Sequence, residues 1–173
     1  EGEIWKCPNI AHCPAQKEGR IEQWCSKDGM DIAQLGPEMI HDLVEKKLVN
    51  DPLDLYVIAR DYTPQSLVDV LGIGYGLKKV KKFIENVNAS KTRTFDKVLY
   101  SLCISGIGKQ NAKMIAEKFR SYQNLRNATK EQLMELEGIG EVLANSIIEW
   151  FADNDADGWY LNGLKEYGLS MEM

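Results

Sequence analysis

The sequence predicts an all-α fold built from four copies of one unit, in which a tight hairpin joins two helices. Two observations support this prediction. Glycine-bracketed turns such as Gly106-Ile107-Gly108 and Gly138-Ile139-Gly140 stand between apolar runs with helical spacing. The last glycines of the four turns fall at positions 36, 74, 108 and 140, so the intervals are 38, 34 and 32 residues. Such recurrence is typical of repeat proteins, whose units bury their apolar faces on one another.

The four hairpins match this pattern to different degrees. The strongest copy lies in Leu133–Ala144, which reads L-M-E-L-E-G-I-G-E-V-L-A. Gly72-Ile73-Gly74 opens another helical run in the same way, and Gln34-Leu35-Gly36 is a degenerate copy. We assign the four units to residues 28–60, 61–92, 93–127 and 128–173, after a turn-rich segment with one short helix over residues 1–27.

Caps and apolar spacing predict the helices of the first two units. An amphipathic helix over Glu18–Lys27 precedes the first hairpin, and Pro37 begins the next helix at a position where proline is favoured. Thr63 is placed to cap the first helix of the second unit. The helix after Gly74 is expected to end near Ala89 and to bury Val80, Phe83, Ile84 and Val87.

The last two units are predicted in the same way. Their helices are expected over Thr94–Cys103, after Gly108, after Thr129, after Gly140 and over Trp159–Tyr167. Thr129 and Gln132 form the sequence signature of a capping box, in which each side chain bonds the other residue's backbone N–H. The helix after Gly140 is expected to carry the apolar residues Val142, Leu143, Ile147, Ile148 and Phe151.

The hairpins are candidate anion sites. Glycine permits φ > 0 and leaves no side chain between the main chain and a ligand. The helix that follows has unpaired N–H groups and a positive dipole end at the same place, which suits phosphate. We expect Ile139 to anchor its hairpin from below. Lys109 and Lys113, after Gly108, are placed to supply counter-charge, whereas the patch around Lys78 fits a solvated surface as well as phosphate contact.

Composition limits the classes of function. The chain has 173 residues, of which 44% are hydrophobic and 27% charged, and no apolar run is long enough to span a membrane. The net charge of −5 argues against a strongly basic nucleic-acid coat, although local basic patches can still bind phosphate. Four cysteines are too few for a secreted disulfide scaffold, so a reducing cytoplasm is expected. The chain begins at Glu1, and we expect it to be a piece of a longer protein.

No catalytic constellation is predicted, because the two histidines lie far apart and no hydrolase or P-loop motif occurs. Cys7 and Cys13 are candidate metal ligands. A structural zinc site needs four ligands, so a complete site would borrow some from before residue 1. Two cysteines at this spacing are more often ordinary thiols. Cys25 and Cys103 fall on apolar faces, and we expect both to pack in the core.

The order of these motifs resembles the bacterial NAD-dependent DNA ligases. The junction between that family's zinc finger and its first hairpin is matched by C-P-N-I-A-H-C-P-A-Q, R-I-E-Q-W-C-S-K-D-G-M-D-I and L-G-P-E-M-I-H-D-L-V-E-K-K-L-V-N-D-P-L-D-L-Y. The third and fourth hairpins are similar to the family's L-x-x-L-x-I-x-G-I-G and L-E-G-I-G-E-V-L-A. The resemblance covers essentially the whole chain. In that family, adenylation and OB-fold domains precede this region and a BRCT domain follows it.

The resemblance implies a short zinc-finger-like remnant at the N terminus, followed by the hairpin repeats. Cys7 and Cys13 would be half of a four-cysteine zinc site whose other half lies upstream, although the family usually has one residue fewer between them. Gln34 stands where the family has glycine, so we expect the first hairpin to be chiefly structural. The glycines expected to line phosphate-binding hairpins are Gly36, Gly72, Gly74, Gly106, Gly108, Gly138 and Gly140.

The resemblance also implies a function. The parent enzyme would seal nicks in DNA replication and repair, using NAD to form an enzyme-AMP intermediate. The adenylated lysine and the NAD-binding residues would belong to the upstream domains. This segment is therefore expected to clamp duplex or nicked DNA by its sugar-phosphate backbone, with the ligase's own upstream domains as partners, in the bacterial cytoplasm. Alone it is expected neither to bind NAD nor to ligate.

Two other functions fit the same residues. A stand-alone helix-hairpin-helix module of a nuclease or junction-binding repair protein would also bind duplex DNA in a salt-dependent way, but with no ligase domain upstream. A helical repeat used for protein contacts would show no DNA binding.

Overall fold

A computed structural model describes residues 14–33 and 35–173 of the chain. This part of the chain is helical, and its only β feature is an isolated antiparallel bridge between Ser121 and Glu172. The predicted all-α fold is confirmed. No helix in the described ranges is both long enough and apolar enough to cross a membrane.

Five helices lie between the described N-terminal end and residue 89, of which the first precedes the repeat units and the other four belong to the first two units. These helices are α1 (Pro14–Cys25), α2 (Pro37–Glu45), α3 (Asp54–Asp61), α4 (Pro64–Leu71) and α5 (Leu77–Ala89). A 3-10 turn over Ser90–Thr92 then leads into the second half of the chain.

The last two units contain six further helices. These are α6 (Phe95–Ser101), α7 (Lys109–Phe119), α8 (Tyr122–Arg126), α9 (Lys130–Met134), α10 (Glu141–Asn154) and α11 (Trp159–Glu166). Each hairpin therefore lies immediately before the longer helix of its unit: α2, α5, α7 or α10.

Local sequence explains several helix starts. The Thr63 hydroxyl accepts a hydrogen bond from Ser66 N, and the Ser66 hydroxyl accepts one from Thr63 N, so α4 begins with a capping box. Thr129 and Gln132 form the capping box predicted for α9. Such caps satisfy amides that have no partner inside the helix, and each typically contributes about 1 kcal/mol to stability.

One apolar core runs through both halves of the described chain. Its largest fully buried side chains include Trp24 of α1, Tyr56 of α3, Phe83 of α5, Phe95 of α6 and Tyr122 of α8. The buried face of α5 is the predicted one, namely Val80, Phe83, Ile84 and Val87. Each such side chain stabilises the fold by about 1.5–3 kcal/mol through removal from water.

The apolar residues of α10 do not share one buried face. Val142 is 82% exposed and Ile148 is 37% exposed. The buried stripe instead runs through Ala144, Ile147, Trp150 and Phe151. Val142 lies two residues before Ala144, about half a helical turn away, so the two side chains leave the helix on opposite sides.

The chain between α6 and α9 differs from the prediction in two places. α6 ends at Ser101 instead of extending to Cys103, whose φ of 61° is left-handed. The short helix α8 was not predicted, because five residues are too few for an apolar period to be recognised. Ser121 caps it by accepting a hydrogen bond from Asn124 N.

The last helix packs against the first half of the chain. Tyr160 of α11 donates a hydrogen bond to Asp51, which also pairs with Arg20 of α1 at 2.9 Å. Nearby, Tyr167 stacks on Tyr56 of α3 with ring centroids 6.2 Å apart. The fourth unit is thereby joined to the first.

Candidate nucleic-acid interface

Four helices begin at an exposed glycine N-cap that has an extended backbone and makes no side-chain hydrogen bond to the first turn. These glycines are Gly36 before α2, Gly76 before α5, Gly108 before α7 and Gly140 before α10. By contrast, the hydroxyls of Thr63, Ser121 and Thr129 cap α4, α8 and α9. All four glycines are exposed, and no heavy atom beyond their chain neighbours lies within 4 Å of where a Cβ would stand. An anion can approach these helix starts without meeting a side chain.

The third hairpin (residues 105–108) and the fourth hairpin (residues 137–140) have nearly the same backbone. Gly106 and Gly138 have φ of 84° and 88°, in the region that favours glycine. Ile107 and Ile139 are buried between the glycines, and each donates its backbone N–H to the carbonyl three residues earlier, at 3.0 and 3.1 Å. The predicted anchoring role of Ile139 is confirmed.

The second hairpin has a different register from the predicted one. α5 begins at Leu77 behind Gly76, two residues later than expected, and Gly72 is the C-cap of α4. Gly74-Tyr75-Gly76 therefore corresponds to the glycine-bracketed turns of the other units, because Gly74 has φ of 101° and Gly76 is the N-cap. The assignment of Gly72 and Gly74 as the two bracketing glycines was wrong.

Tyr75 replaces isoleucine as the anchor of the second hairpin. It is partly buried against the core, and its hydroxyl donates a hydrogen bond to Asp42 of α2. Burial and the Asp42 carboxylate both raise the pKa of Tyr75 above its ordinary value. The same hydrogen bond ties the second hairpin to the helix that follows the first hairpin.

The first hairpin is described only in part, because Gln34 lies outside the described residues. Leu35 is partly buried against the core, and Gly36 caps α2 with extended φ and ψ. Glu38 lies in the first turn of α2. A carboxylate at this place repels an anion, which fits the expectation that this hairpin is chiefly structural.

The third and fourth hairpins lie side by side. A Cβ on Gly106 would stand 2.5 Å from the end of the Leu143 side chain of α10, so that side chain would have to move to admit it. Ser146 of α10 donates a hydrogen bond of 2.6 Å to the carbonyl of Ser105. This contact holds the N-termini of α7 and α10 close together, so both can contact the same ligand.

Charge divides the hairpins into two kinds. Lys109 and Lys113 of α7 and Lys78 of α5 are exposed, and the first turns of both helices lack acidic residues. In the fourth hairpin the first turn of α10 carries Glu141, whose pKa is lowered by a hydrogen bond and ion pair with Lys130 at 2.5 Å. Lys109 Nζ lies 3.7 Å from the carboxylate of Asp28, but the first turns of α5 and α7 remain basic, so the second and third hairpins offer the more favourable electrostatic environment for phosphate.

Sequence comparisons agree with this architecture. Residues 97–158, which span the third and fourth hairpins, match the helix-hairpin-helix motif family. The whole chain is 38% identical to a protein named DNA ligase from Coprothermobacter proteolyticus, over 99% of this chain and 25% of that protein. It is 35% identical to a DNA ligase from Halothermothrix orenii over the same shares, and 34% identical to one from Rubrobacter xylanophilus over 98% and 24%. The chain is related to one region of the DNA ligases.

This ligase-related chain spans about a quarter of the length of the relatives it matches. The similarity runs through all four hairpins and is not confined to the motif region. The resemblance to DNA ligases inferred from the order of motifs is therefore confirmed.

The cysteines give no metal centre in the described part of the ligase-related chain. Cys7 and Cys13 lie outside the described residues, so their predicted zinc role is untested. Elsewhere in residues 14–33 and 35–173, no three histidine, cysteine, aspartate or glutamate side chains are grouped so as to hold a metal ion. Cys25 is buried, and burial raises its pKa to about 12, as expected for a thiol that packs in the core. Cys103 is partly buried, and burial raises its pKa to about 11.

Sequence reasoning missed Gly76 and Tyr75, the pair that starts the helix and anchors the second hairpin. A signal was present, since residues 72–76 read G-I-G-Y-G and contain two overlapping copies of the motif.

Sequence reasoning also missed Asp155, which was interpreted only as part of a turn. It is fully buried, accepts hydrogen bonds from Tyr122 and Arg126, and receives the backbone N–H of Tyr160 at 2.7 Å. Asp155 therefore caps α11 from within the core.

Proposed function

We propose that this chain is the part of a DNA ligase that holds duplex DNA by its sugar-phosphate backbone on either side of a nick. The observation that carries the proposal is the set of four helix starts at exposed glycines. Backbone amides and helix N-termini contact phosphate oxygens without reading bases, so the binding would be independent of sequence. The relatives named DNA ligase, which match along the whole chain, favour this function over a stand-alone DNA-binding module.

The contributions of the hairpins would be unequal. Gly108 with Lys109 and Lys113, and Gly76 with Lys78, would bind phosphate most strongly because each helix start adds ammonium groups to the amides. Gly138 and Gly140 would bind phosphate through the backbone alone, with Gly106 setting the third turn and Gly36 contributing least. In the second hairpin, Gly74 would permit the turn and Gly72 would lie outside the phosphate site.

The whole enzyme would supply what this chain does not. We propose that the parent is NAD-dependent and joins nicks in bacterial DNA replication and repair, in the cytoplasm, while residues 28–173 act as its DNA clamp. Residues 1–27 would link this clamp to the upstream domains, with Cys7 and Cys13 completing a zinc site there. Alone, the chain is expected to bind DNA without ligating it.

Fluorescence anisotropy on a labelled nicked duplex tests the clamp directly. With one phosphate neutralised by lysine at each of the second and third hairpins, log affinity would fall with log salt at a slope of about −1.8, so doubling the salt would weaken binding about 3.5-fold. Single-stranded DNA of equal length is the control, and we expect weaker binding to it.

The result that counts against the clamp is equal affinity for single-stranded and duplex DNA, or no binding to either at low salt. The ligase parentage is tested separately. The full-length protein should seal the same nicked duplex when NAD is added. Deletion of residues 28–173 should weaken DNA binding, so that sealing is lost at DNA concentrations at which the full-length protein is active.

A further inference from the structure

The loop before the second hairpin holds the most exposed apolar side chain in the described part of the chain. Ile73 is 105% exposed, whereas Ile107 and Ile139 are 6% and 3% exposed in the other hairpins. It lies between Gly72 and Gly74, whose φ values are 85° and 101°. Beyond their chain neighbours, no heavy atom lies within 4 Å of where a Cβ on either glycine would stand, so the loop projects clear of the protein.

This exposure follows from the register of the second hairpin. Tyr75 occupies the anchoring position, so Ile73 stands where the third and fourth hairpins have the exposed polar residues Ser105 and Glu137. Val70 and Leu77, on either side of the loop in sequence, are 43% and 49% exposed. A group of exposed apolar side chains at a loop tip has an unfavourable interaction with water that a partner can relieve.

We propose that Ile73 inserts into the minor groove of the duplex that the hairpins hold. This inference rests on the proposed DNA-binding function and adds a contact to it. The minor groove is about 6 Å wide and lined by sugar edges, and apolar side chains that enter it separate neighbouring base pairs and bend the helix. Ile73 provides such a wedge at the tip of a narrow loop.

The surroundings favour DNA as the partner. The first turn of α5 carries Lys78 and Lys79, and its next turn carries Lys81 and Lys82, all exposed. Lys79 lies 5.5 Å from the centre of the Tyr75 ring, which holds its charge beside the hairpin. An apolar tip with ammonium groups behind it matches a groove whose two walls carry phosphates.

Three variants test the insertion. Ile73→Ala removes the wedge, Ile73→Met keeps an unbranched apolar one, and Ile148→Ala makes the same change at an exposed isoleucine in the middle of α10. Each is measured by anisotropy on a duplex at several salt concentrations. Each is also measured by the fluorescence of 2-aminopurine placed along the duplex, which rises when a base unstacks.

We expect Ile73→Ala to weaken duplex binding about tenfold, because the variant no longer gains free energy by burying the Ile73 side chain in the groove. The salt slope should stay unchanged, since no counterion release is lost. The rise in 2-aminopurine fluorescence seen with the unmodified chain should disappear. Ile73→Met should keep both properties, and Ile148→Ala should bind as the unmodified chain does.

The outcomes separate this inference from the function on which it rests. If the unmodified chain binds duplex DNA but Ile73→Ala binds equally well with the same fluorescence change, the insertion is wrong and the clamp stands. If the unmodified chain shows no salt-dependent duplex binding, both proposals fail together.

Discussion

The third and fourth hairpins have nearly identical backbones and opposite charges. Their capping glycines, Gly108 and Gly140, have φ of −89° and −90° and ψ of −174° and −170°, and a buried isoleucine anchors each turn. Yet Lys109 follows Gly108 in the third hairpin, and Glu141 follows Gly140 in the fourth. The comparison teaches that the requirements for forming the turn and for attracting an anion are carried by different residues. Each set can therefore be altered separately.

The largest expected effect concerns the shared anchors. Ile107→Ala and Ile139→Ala should each lower the free energy of unfolding by about 3 kcal/mol, because each removes buried methylene and methyl groups and leaves a cavity. Urea denaturation of the two variants is the measurement. Losses that differ by more than about 2 kcal/mol would show that the two hairpins are not equivalent in the fold.

A smaller effect is expected from the capping glycines. Gly108→Val should weaken duplex binding about tenfold and Gly140→Val about threefold, since a side chain would occupy the place of a phosphate and the third hairpin has the lysines. Both should fold, because each position has extended backbone and open space around it. Anisotropy gives the affinities, and circular dichroism checks the fold. Unchanged affinity in a folded Gly108→Val variant would remove the third hairpin from the interface.

Gly106→Val is the contrasting variant within the third hairpin. Its φ of 84° and the nearness of Leu143 oppose any side chain. We expect this variant to lose stability, by about 1–3 kcal/mol from the backbone conformation alone. A stable Gly106→Val variant would mean that the two hairpins can move apart.

Exchange of the charges should reverse which of the third and fourth hairpins contributes more to DNA affinity. Lys109→Glu should weaken duplex binding at low salt by about five- to tenfold and reduce the salt slope by about one, whereas Glu141→Lys should strengthen it by a few fold. The measurement is anisotropy at five salt concentrations. The contrast between the variants should shrink at high salt, and a contrast that persists there would indicate a structural effect instead.

The smallest effect concerns the ion pair of the fourth hairpin. Lys130 lowers the pKa of Glu141, so the pair stabilises the folded state above that pKa and is lost as the pH falls through it. Lys130→Ala should return the pKa of Glu141 towards its ordinary value, as followed by NMR titration of the side chain. Because Glu141 is exposed, stability should change little.

The sequence predicted these two hairpins better than the second. In the third and fourth, one Gly-Ile-Gly stands alone before a helix, so the helix start is unambiguous. In the second, G-I-G-Y-G allows two registers. Because isoleucine is more apolar than tyrosine, the sequence favours Ile73 over Tyr75 as the buried residue. The choice depends on Asp42, a residue 33 positions earlier whose carboxylate accepts the Tyr75 hydroxyl. Local patterns contain no information about such a distant partner.

The same limit applies to the packing of α10 and α11. Val142 and Ile148 are apolar but exposed, because the direction of the buried stripe is set by Trp150 and Phe151, which meet Tyr122 and Tyr160. Asp155 looks like an ordinary turn residue until the chain brings Arg126 and Tyr122 to it. Caps such as Thr63 and Thr129 were predicted correctly because their partners lie three residues away.

The hydrogen bond between Tyr160 and Asp51 spans 109 residues, and the one between Arg20 and Tyr160 spans 140. In an open array of repeats, each unit contacts only its neighbours and can unfold in turn from either end. Here the last helix closes the array onto the first, so the terminal units do not fray independently. Unfolding should be a single cooperative transition, and refolding should be slowed by the entropy of bringing such distant segments together. A clamp with joined ends also keeps the spacing between its first and last hairpins when no DNA is bound.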